Sequence, residues 1–259
     1  MATKDTWAPA QYERFRGERL APGLDLIALV EPRPGMRIVD LGAGTGELTR
    51  LLHERLAARE TLGIERSASM LEASRARRAP GLRLTAGDIA DFAEHERFDL
   101  VFSNAALQWV PDHDELLPRL VRALAPGGQL AFQVPANTDH VAHTVAAEIA
   151  EEEPFRTALS DHATRPLATL PPETYALMLA TLGARRQHVR LQVYLHTLAE
   201  PGEVVEWTRG TLLTYFRTHL DDRRYNAFEA RYRERLVTRL PPERPYHFAF
   251  KRILAWAAW

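Results

Sequence analysis

The stretch Asp40-Leu-Gly-Ala-Gly-Thr-Gly46 combines residue types and spacing that could do chemistry. Glycines at 42, 44 and 46 allow the backbone to turn tightly and to approach a ligand closely. The spacing reads G-x-G-x-G, whereas the loop that seats a dinucleotide pyrophosphate reads G-x-G-x-x-G. An acid, Asp40, precedes the first glycine by two positions. A carboxylate there sits awkwardly beside a pyrophosphate and comfortably beside an ammonium and a sulfonium. Glu65 follows 25 residues later, where a carboxylate can accept from both hydroxyls of a ribose. Asp88, with the Ile89 backbone beside it, suits an adenine amino group, and Asn104 adds another polar end. Each residue also has a plainer reading. The glycines could form only a turn, Glu65 could be a solvated strand end, and Asp88 could cap a helix. Taken together in order, they point to S-adenosylmethionine, with S-adenosylhomocysteine as its product.

These residues need a sheet edge to hold them. Arg37–Ala43 reads as a buried strand running into the glycine turn. Gly46–Leu56 has helical spacing, with Leu48, Leu51, Leu52 and Leu56 on one face. Further strands are expected at Thr61–Glu65, Leu82–Asp88, Phe98–Asn104 and Gln129–Val134, and a helix at Asp112–Leu124 that stops at Pro126-Gly127-Gly128. Ser67 reads as a helix N-cap. Strands alternating with helices predict an α/β fold, Rossmann-like and doubly wound, with a mostly parallel sheet whose strand C-termini share the ligand edge. Beyond that rhythm, residues 138–182 read as helical pieces broken at Pro154, Pro166 and Pro171-Pro172. Arg186–Leu198 and Tyr246–Leu254 read as strands, with helices over Glu203–Leu220 and Asp222–Leu240. The two late strands extend the sheet to seven, and the helical insertions are expected to cap the ligand edge. No linker stands out. The expected organisation is one domain over 1–259, with an N-terminal lid segment (1–30), a cofactor-binding core (31–135), cap insertions plus a late strand (136–245) and a final strand (246–259).

Composition narrows the function classes. The 259 residues are 46% hydrophobic and 26% charged, which fits a globular chain and excludes wholesale disorder. The formal net charge of −1 and the absence of a basic stripe give nucleic acid and anionic membrane no strong attraction. With no Cys, thiol catalysis and cysteine-ligated metals are excluded. No apolar run approaches the roughly 18–20 residues that span a bilayer, and the N-terminus lacks the apolar core of a signal peptide. A cytoplasmic location is therefore expected. Nearly all positive charge is Arg, since Lys occurs only at 4 and 251. His140 and His143 are three apart, but no third ligand motif accompanies them, so no metal is expected.

The chain resembles the class I S-adenosylmethionine-dependent methyltransferases. Beyond Val39–Gly46, the resemblance is carried by Gly63-Ile-Glu-Arg-Ser67, Met70-Leu71, Gly87-Asp-Ile89 and Ser103-Asn-Ala-Ala-Leu-Gln-Trp109. Asp112-His113 and Leu130–Pro135 match as well, and Trp7–Tyr12, Leu107-Gln-Trp109 and Glu206-Trp-Thr-Arg-Gly-Thr211 narrow it to the branch that methylates a carboxylate of trans-aconitate. The family's glycine loop usually carries Cys and Pro where this chain has Ala43 and Thr45, Asn where it has Glu47, and Asp is common where it has Glu65. A glutamate still reaches a ribose, while the changes at 45 and 47 leave room for a shifted acceptor.

The resemblance implies a cofactor set of Asp40, Gly42, Ala43, Gly44, Gly46, Glu65, Arg66, Met70, Asp88, Ile89, Asn104, Gln108 and Trp109. Trp7, Tyr12 and Arg19 belong to an N-terminal segment expected to fold over the cofactor. A carboxylate acceptor is already ionised at neutral pH, so the absence of an obvious general-base motif is consistent with carboxyl methylation. A polycarboxylate must instead be held by cations and donors, for which arginine forks are suited. Arg209 is the first candidate, with Trp207, Thr211 and Arg19 beside it and His143, Tyr246, Gln133 and Arg252 behind. The expected partner is a small anionic substrate, with no nucleic acid and no membrane. Acceptors of another kind, carrier-bound or phenolic, and a role in binding cofactor without turnover are the alternatives.

Overall fold

A computed structural model of the chain describes residues 16–162 and 168–259. The elements run α1 (Arg16–Ile27), β1 (Arg37–Leu41), α2 (Glu47–Arg55), β2 (Glu60–Glu65), α3 (Ala68–Ala73), β3 (Leu82–Ala86), β4 (Phe98–Asn104), α4 (His113–Arg122) and β5 (Leu124–Pro135). They continue with α5 (Val141–Ala150), α6 (Phe155–Leu159), α7 (Pro172–Thr181), β6 (Arg186–Leu198), α8 (Glu203–Arg209), α9 (Leu212–His219), α10 (Asp222–Arg239) and β7 (Tyr246–Ala258). Seven strands form one sheet in the order β3-β2-β1-β4-β5-β7-β6. The first five are parallel, and β7 runs antiparallel to β5. Strand order reverses between β1 and β4, and ligands of such sheets bind at the carboxyl ends beside that switch.

The central strands are buried on both faces, as parallel strands covered by helices must be. Ile38, Val39, Leu41, Leu100, Val101, Phe102, Leu130 and Phe132 have no exposed surface. Each contributes about 1.5–3 kcal/mol by leaving water. Several boundaries differ from the sequence expectation. β5 begins at Leu124, ahead of the expected Gln129, because Pro126-Gly127-Gly128 does not end the pairing. While β4 advances from Phe98 to Leu100, its partner advances from Leu124 to Gln129, so the extra residues bulge out. β7 runs on to Ala258, its last residues paired with Gln129–Gln133. The helix expected over 203–220 is two helices, interrupted at Gly210 and Thr211, where the chain leaves helical angles.

The described residues fall into two compact units. One comprises 16–135, 168–192 and 251–259, and the other 136–162 and 193–250. The first holds β1 to β5 with α1 to α4 and α7. The second has its own core, in which Trp207, Phe216, Phe228, Tyr232 and Phe248 are buried with Val145, Ile149 and Leu236. Phe228 stacks on Phe216 at 4.5 Å and meets Phe155 edge-on at 5.2 Å. Among the described residues, no helix is long and apolar enough to cross a membrane.

Candidate active site

The carboxyl ends of β1, β2 and β4 bring the acid and glycine motifs together within the first unit. Gly42 (φ 83°) turns the chain out of β1, and a Cβ at this position would lie 2.2 Å from the Ala106 Cβ. The missing side chain lets the loop after β4 close onto the glycine turn. Gly44 is different: its φ is 56°, and a Cβ would meet nothing within 4 Å among the described residues. None of the described residues crowds its bare backbone, which leaves a cradle that fits a ligand. Gly46 then starts α2, its N–H donating to the Ala43 carbonyl at 2.9 Å.

The two acids differ in environment. Asp40 is 2% exposed and accepts from the Thr49 hydroxyl at 2.6 Å. Burial pushes its carboxyl up to about 7, the Thr49 hydrogen bond opposes this, and the nearby Glu65 charge adds to it. Glu65 is half-buried and bridges two backbone donors. One oxygen accepts from the Gly44 N–H and the other from the Ser67 N–H, both at 2.8 Å. Each oxygen keeps a second lone pair. Ser67 in turn caps α3 by accepting from the Met70 N–H at 3.2 Å, and Met70 is buried.

Asp88 caps the short turn Ile89–Asp91, accepting from the Ala90 N–H at 2.9 Å. Its other oxygen lies 3.9 Å from Arg66. The plain capping geometry is therefore present, and the second oxygen faces outward with Arg66. At the end of β4, Asn104 Oδ1 and Gln108 Oε1 are buried without a hydrogen-bond partner among the described residues. Gln108 is oriented by its Nε2, which donates to the Ala105 carbonyl at 2.7 Å. Trp109 closes the same turn and is half-buried. An open glycine cradle, a carboxylate with spare lone pairs and two unpartnered acceptors fit S-adenosylmethionine, which carries hydroxyl and amino donors along its length. Trp7, Tyr12 and the Arg19 side chain lie outside the described residues.

The residues expected to hold an acceptor are placed differently. Trp207, Arg209, Thr211, His143 and Tyr246 all belong to the second unit. Arg209 does not present an open fork: Nε donates to Glu229 at 3.1 Å, Nη2 also reaches Glu229, and Nη1 reaches Glu206. These acids neutralise it where the sequence reading put a substrate carboxylate. Trp207 is 1% exposed and stacks on His196 with ring centroids 4.6 Å apart, a core position. Thr211 heads α9, Tyr246 is buried at the start of β7, and His143 is half-buried on α5. Gln133 and Arg252 stand in the first unit on neighbouring strands, Arg252 Nη1 reaching Gln133 Oε1 at 3.5 Å. Among the described residues, no three His, Cys, Asp or Glu side chains are grouped to hold a metal.

Two partners, Thr49 and Tyr175, were not singled out from the sequence. Thr49 anchors Asp40 from the first turn of α2, across the glycine turn, where no sequence spacing marks the pairing. His113 bonds Tyr175, which is 62 residues away and carries no local signal of the pairing.

Comparison with known proteins shows the family. Residues 32–199 match the family described as a methyltransferase domain. A curated trans-aconitate 2-methyltransferase from Deinococcus radiodurans is 42% identical over 256 residues, covering 96% of both chains. Among solved structures, the YcgJ protein from Bacillus subtilis superposes with a TM-score of 0.59 at 16% identity, covering 92% of this chain and 98% of that one. An S-adenosylmethionine-dependent methyltransferase from Mesorhizobium loti gives 0.51 at 20% identity, covering 95% and 100%. The chain belongs to the methyltransferase-domain family and is an S-adenosylmethionine-dependent methyltransferase.

Proposed function

We propose that the chain transfers a methyl group from S-adenosylmethionine to a carboxylate of trans-aconitate. The acceptor assignment is carried by one observation: similarity at 42% identity along nearly the whole chain to a protein of that name. The cofactor seat is supported by the acid–glycine–acid arrangement at the carboxyl edge of β1 and β2. In this reading Asp40, Gly42, Ala43, Gly44 and Gly46 seat the methionine part. Glu65 and Arg66 take the ribose, and Asp88 with Ile89 the adenine. Met70, Asn104, Gln108 and Trp109 complete the wall, and Trp7, Tyr12 and Arg19 close over it. A small anionic acceptor and a cytoplasmic setting go with this assignment.

Bound S-adenosylmethionine supplies a methyl on a sulfonium, released as a neutral thioether when a carboxylate oxygen takes the methyl. A carboxylic acid of pKa about 4 is ionised at neutral pH, so no residue of the chain has to remove a proton. The chain's task is to hold that oxygen in line with the methyl–sulfur bond and to keep water away. Asp40 and Glu65 also favour a cation beside the glycine turn.

Release of S-adenosylhomocysteine, followed with trans-aconitate, cis-aconitate, isocitrate and citrate, tests the proposal. Saturable turnover is expected on trans-aconitate and weaker turnover on the others. Bound cofactor with no turnover on any of the four would remove the acceptor assignment.

A further inference from the structure

The segment after β4 holds two residues other than glycine in the left-handed region, Ala105 and Asp112, each with φ 54°. Such angles persist only where the surroundings over-determine them, and they cluster at functional sites. The inner side of this segment is fixed by the Ala105 N–H, which donates to the Gln133 carbonyl at 2.9 Å, and by Ala106, which lies against Gly42.

A further constraint, this one from outside the segment, comes from a linked pair of buried side chains, His113 (3% exposed) and Tyr175 (fully buried). His113 Nε2 lies 2.9 Å from the Leu107 carbonyl. A carbonyl can only accept, so Nε2 carries the hydrogen and Nδ1 is the acceptor. The Tyr175 hydroxyl, 2.7 Å from Nδ1, therefore donates to it. The same hydroxyl oxygen accepts from the Leu170 N–H at 3.1 Å. The chain of bonds Leu170, Tyr175, His113, Leu107 has every donor and acceptor used once. Burial holds His113 below its usual range, which favours the neutral ring that this pattern requires. Phe132 meets the Tyr175 ring edge-on at 5.1 Å and fixes its plane. Both His113 nitrogens are committed, so this histidine is neither a metal ligand nor a base, and a carboxylate acceptor needs no base. What it touches is the turn Leu107–Trp109, which carries the unpartnered Gln108 Oε1.

We propose that His113 and Tyr175 are positioning residues for methyl transfer, their linked hydrogen bonds locking the Leu107–Trp109 turn in the geometry that receives the cofactor. The inference rests on the cofactor reading above and names residues it does not include.

The test is calorimetric binding of S-adenosylhomocysteine to the full chain. Tyr175→Phe deletes one hydroxyl and keeps the ring against Phe132. Its Kd is expected to rise by more than about threefold and up to about tenfold, the upper bound being reached if the freed turn must be re-ordered at the cost of one hydrogen bond on binding. His113→Leu should do the same, and the double variant should be no worse than either, because all three break one linked unit. Tyr232→Phe serves as the control. It removes a buried hydroxyl bonded to Thr208 at 3.2 Å in the second unit. It should lower the unfolding midpoint and leave Kd within about twofold. The inference is overturned if Tyr175→Phe behaves like Tyr232→Phe, or if the two losses in affinity simply add. Should His113→Leu fail to fold, Tyr175→Phe against Tyr232→Phe decides. A wild-type chain that does not bind S-adenosylhomocysteine would overturn the cofactor reading as well. Wild-type binding with unchanged variants would overturn this inference alone.

Discussion

Asp40 and the glycines beside it show how single residues are set for binding at some expense to stability. The folded-state pKa of Asp40 is about 7, above its unfolded value of 3.8. The folded chain therefore holds this proton more tightly than the unfolded chain, and stability falls as pH rises from about 4 to about 7. Asp40→Asn should remove that slope, with a gain at pH 8 relative to pH 4 of about 2–4 kcal/mol, measured by denaturant unfolding. A slope unchanged in the variant would mean that Asp40 is not the titrating group. A cationic ligand favours the ionised carboxylate, so cofactor binding near pH 7 should release protons in the wild type and fewer in Asp40→Asn. The glycines make a paired prediction. Gly42→Ala drives a methyl into Ala106 and should cost about 2 kcal/mol or more. Gly44→Ala meets open space and should cost only about 1–2 kcal/mol for its left-handed angle, while weakening cofactor affinity. Equal stability losses, with cofactor affinity unchanged in Gly44→Ala, would deny Gly44 its place in the cradle.

The elements differ in how far their sequences disclosed them. β1, β4 and β6 stand close to where apolar runs and alternation put them, because burial on two faces or one imposes those patterns. The early start of β5 was hidden, since Pro-Gly-Gly reads as a stop unless the bulge against β4 is known. Asp40, Glu65 and the glycines drew notice in the sequence because they gather at a strand end and in the turn that follows it. The pairing of Arg209 was not legible, because its partner Glu229 lies 20 residues on, on α10, and sequence spacing carries no record of that meeting. Arg209 ties α8 to α10, and its side chain is 34% exposed. Allowing for solvent screening, Arg209→Ala should cost about 1 kcal/mol of stability. A rise in acceptor KM at unchanged stability would instead return Arg209 to the substrate. Ser67 makes the element-scale case for the first unit. Ser67→Ala removes the cap of α3 and should cost about 1 kcal/mol, read as a shift in unfolding midpoint.

At the scale of the whole molecule, the seven-stranded order, the near-full-length relatives and the carboxyl-edge constellation converge on methyl transfer. The boundary at residue 136 coincides with the one the strand–helix rhythm suggested, whereas the one at 193 falls inside β6, where no composition shift marks it. A unit built from separated stretches of chain leaves no linker to read. The most direct measurement follows a labelled methyl group from S-adenosylmethionine into product with trans-aconitate present. The account predicts saturable transfer into a monomethyl ester that is cleaved by mild alkali, one S-adenosylhomocysteine appearing per ester. A chain that binds the cofactor and leaves trans-aconitate unlabelled, or that places the label on carbon or nitrogen, would contradict it.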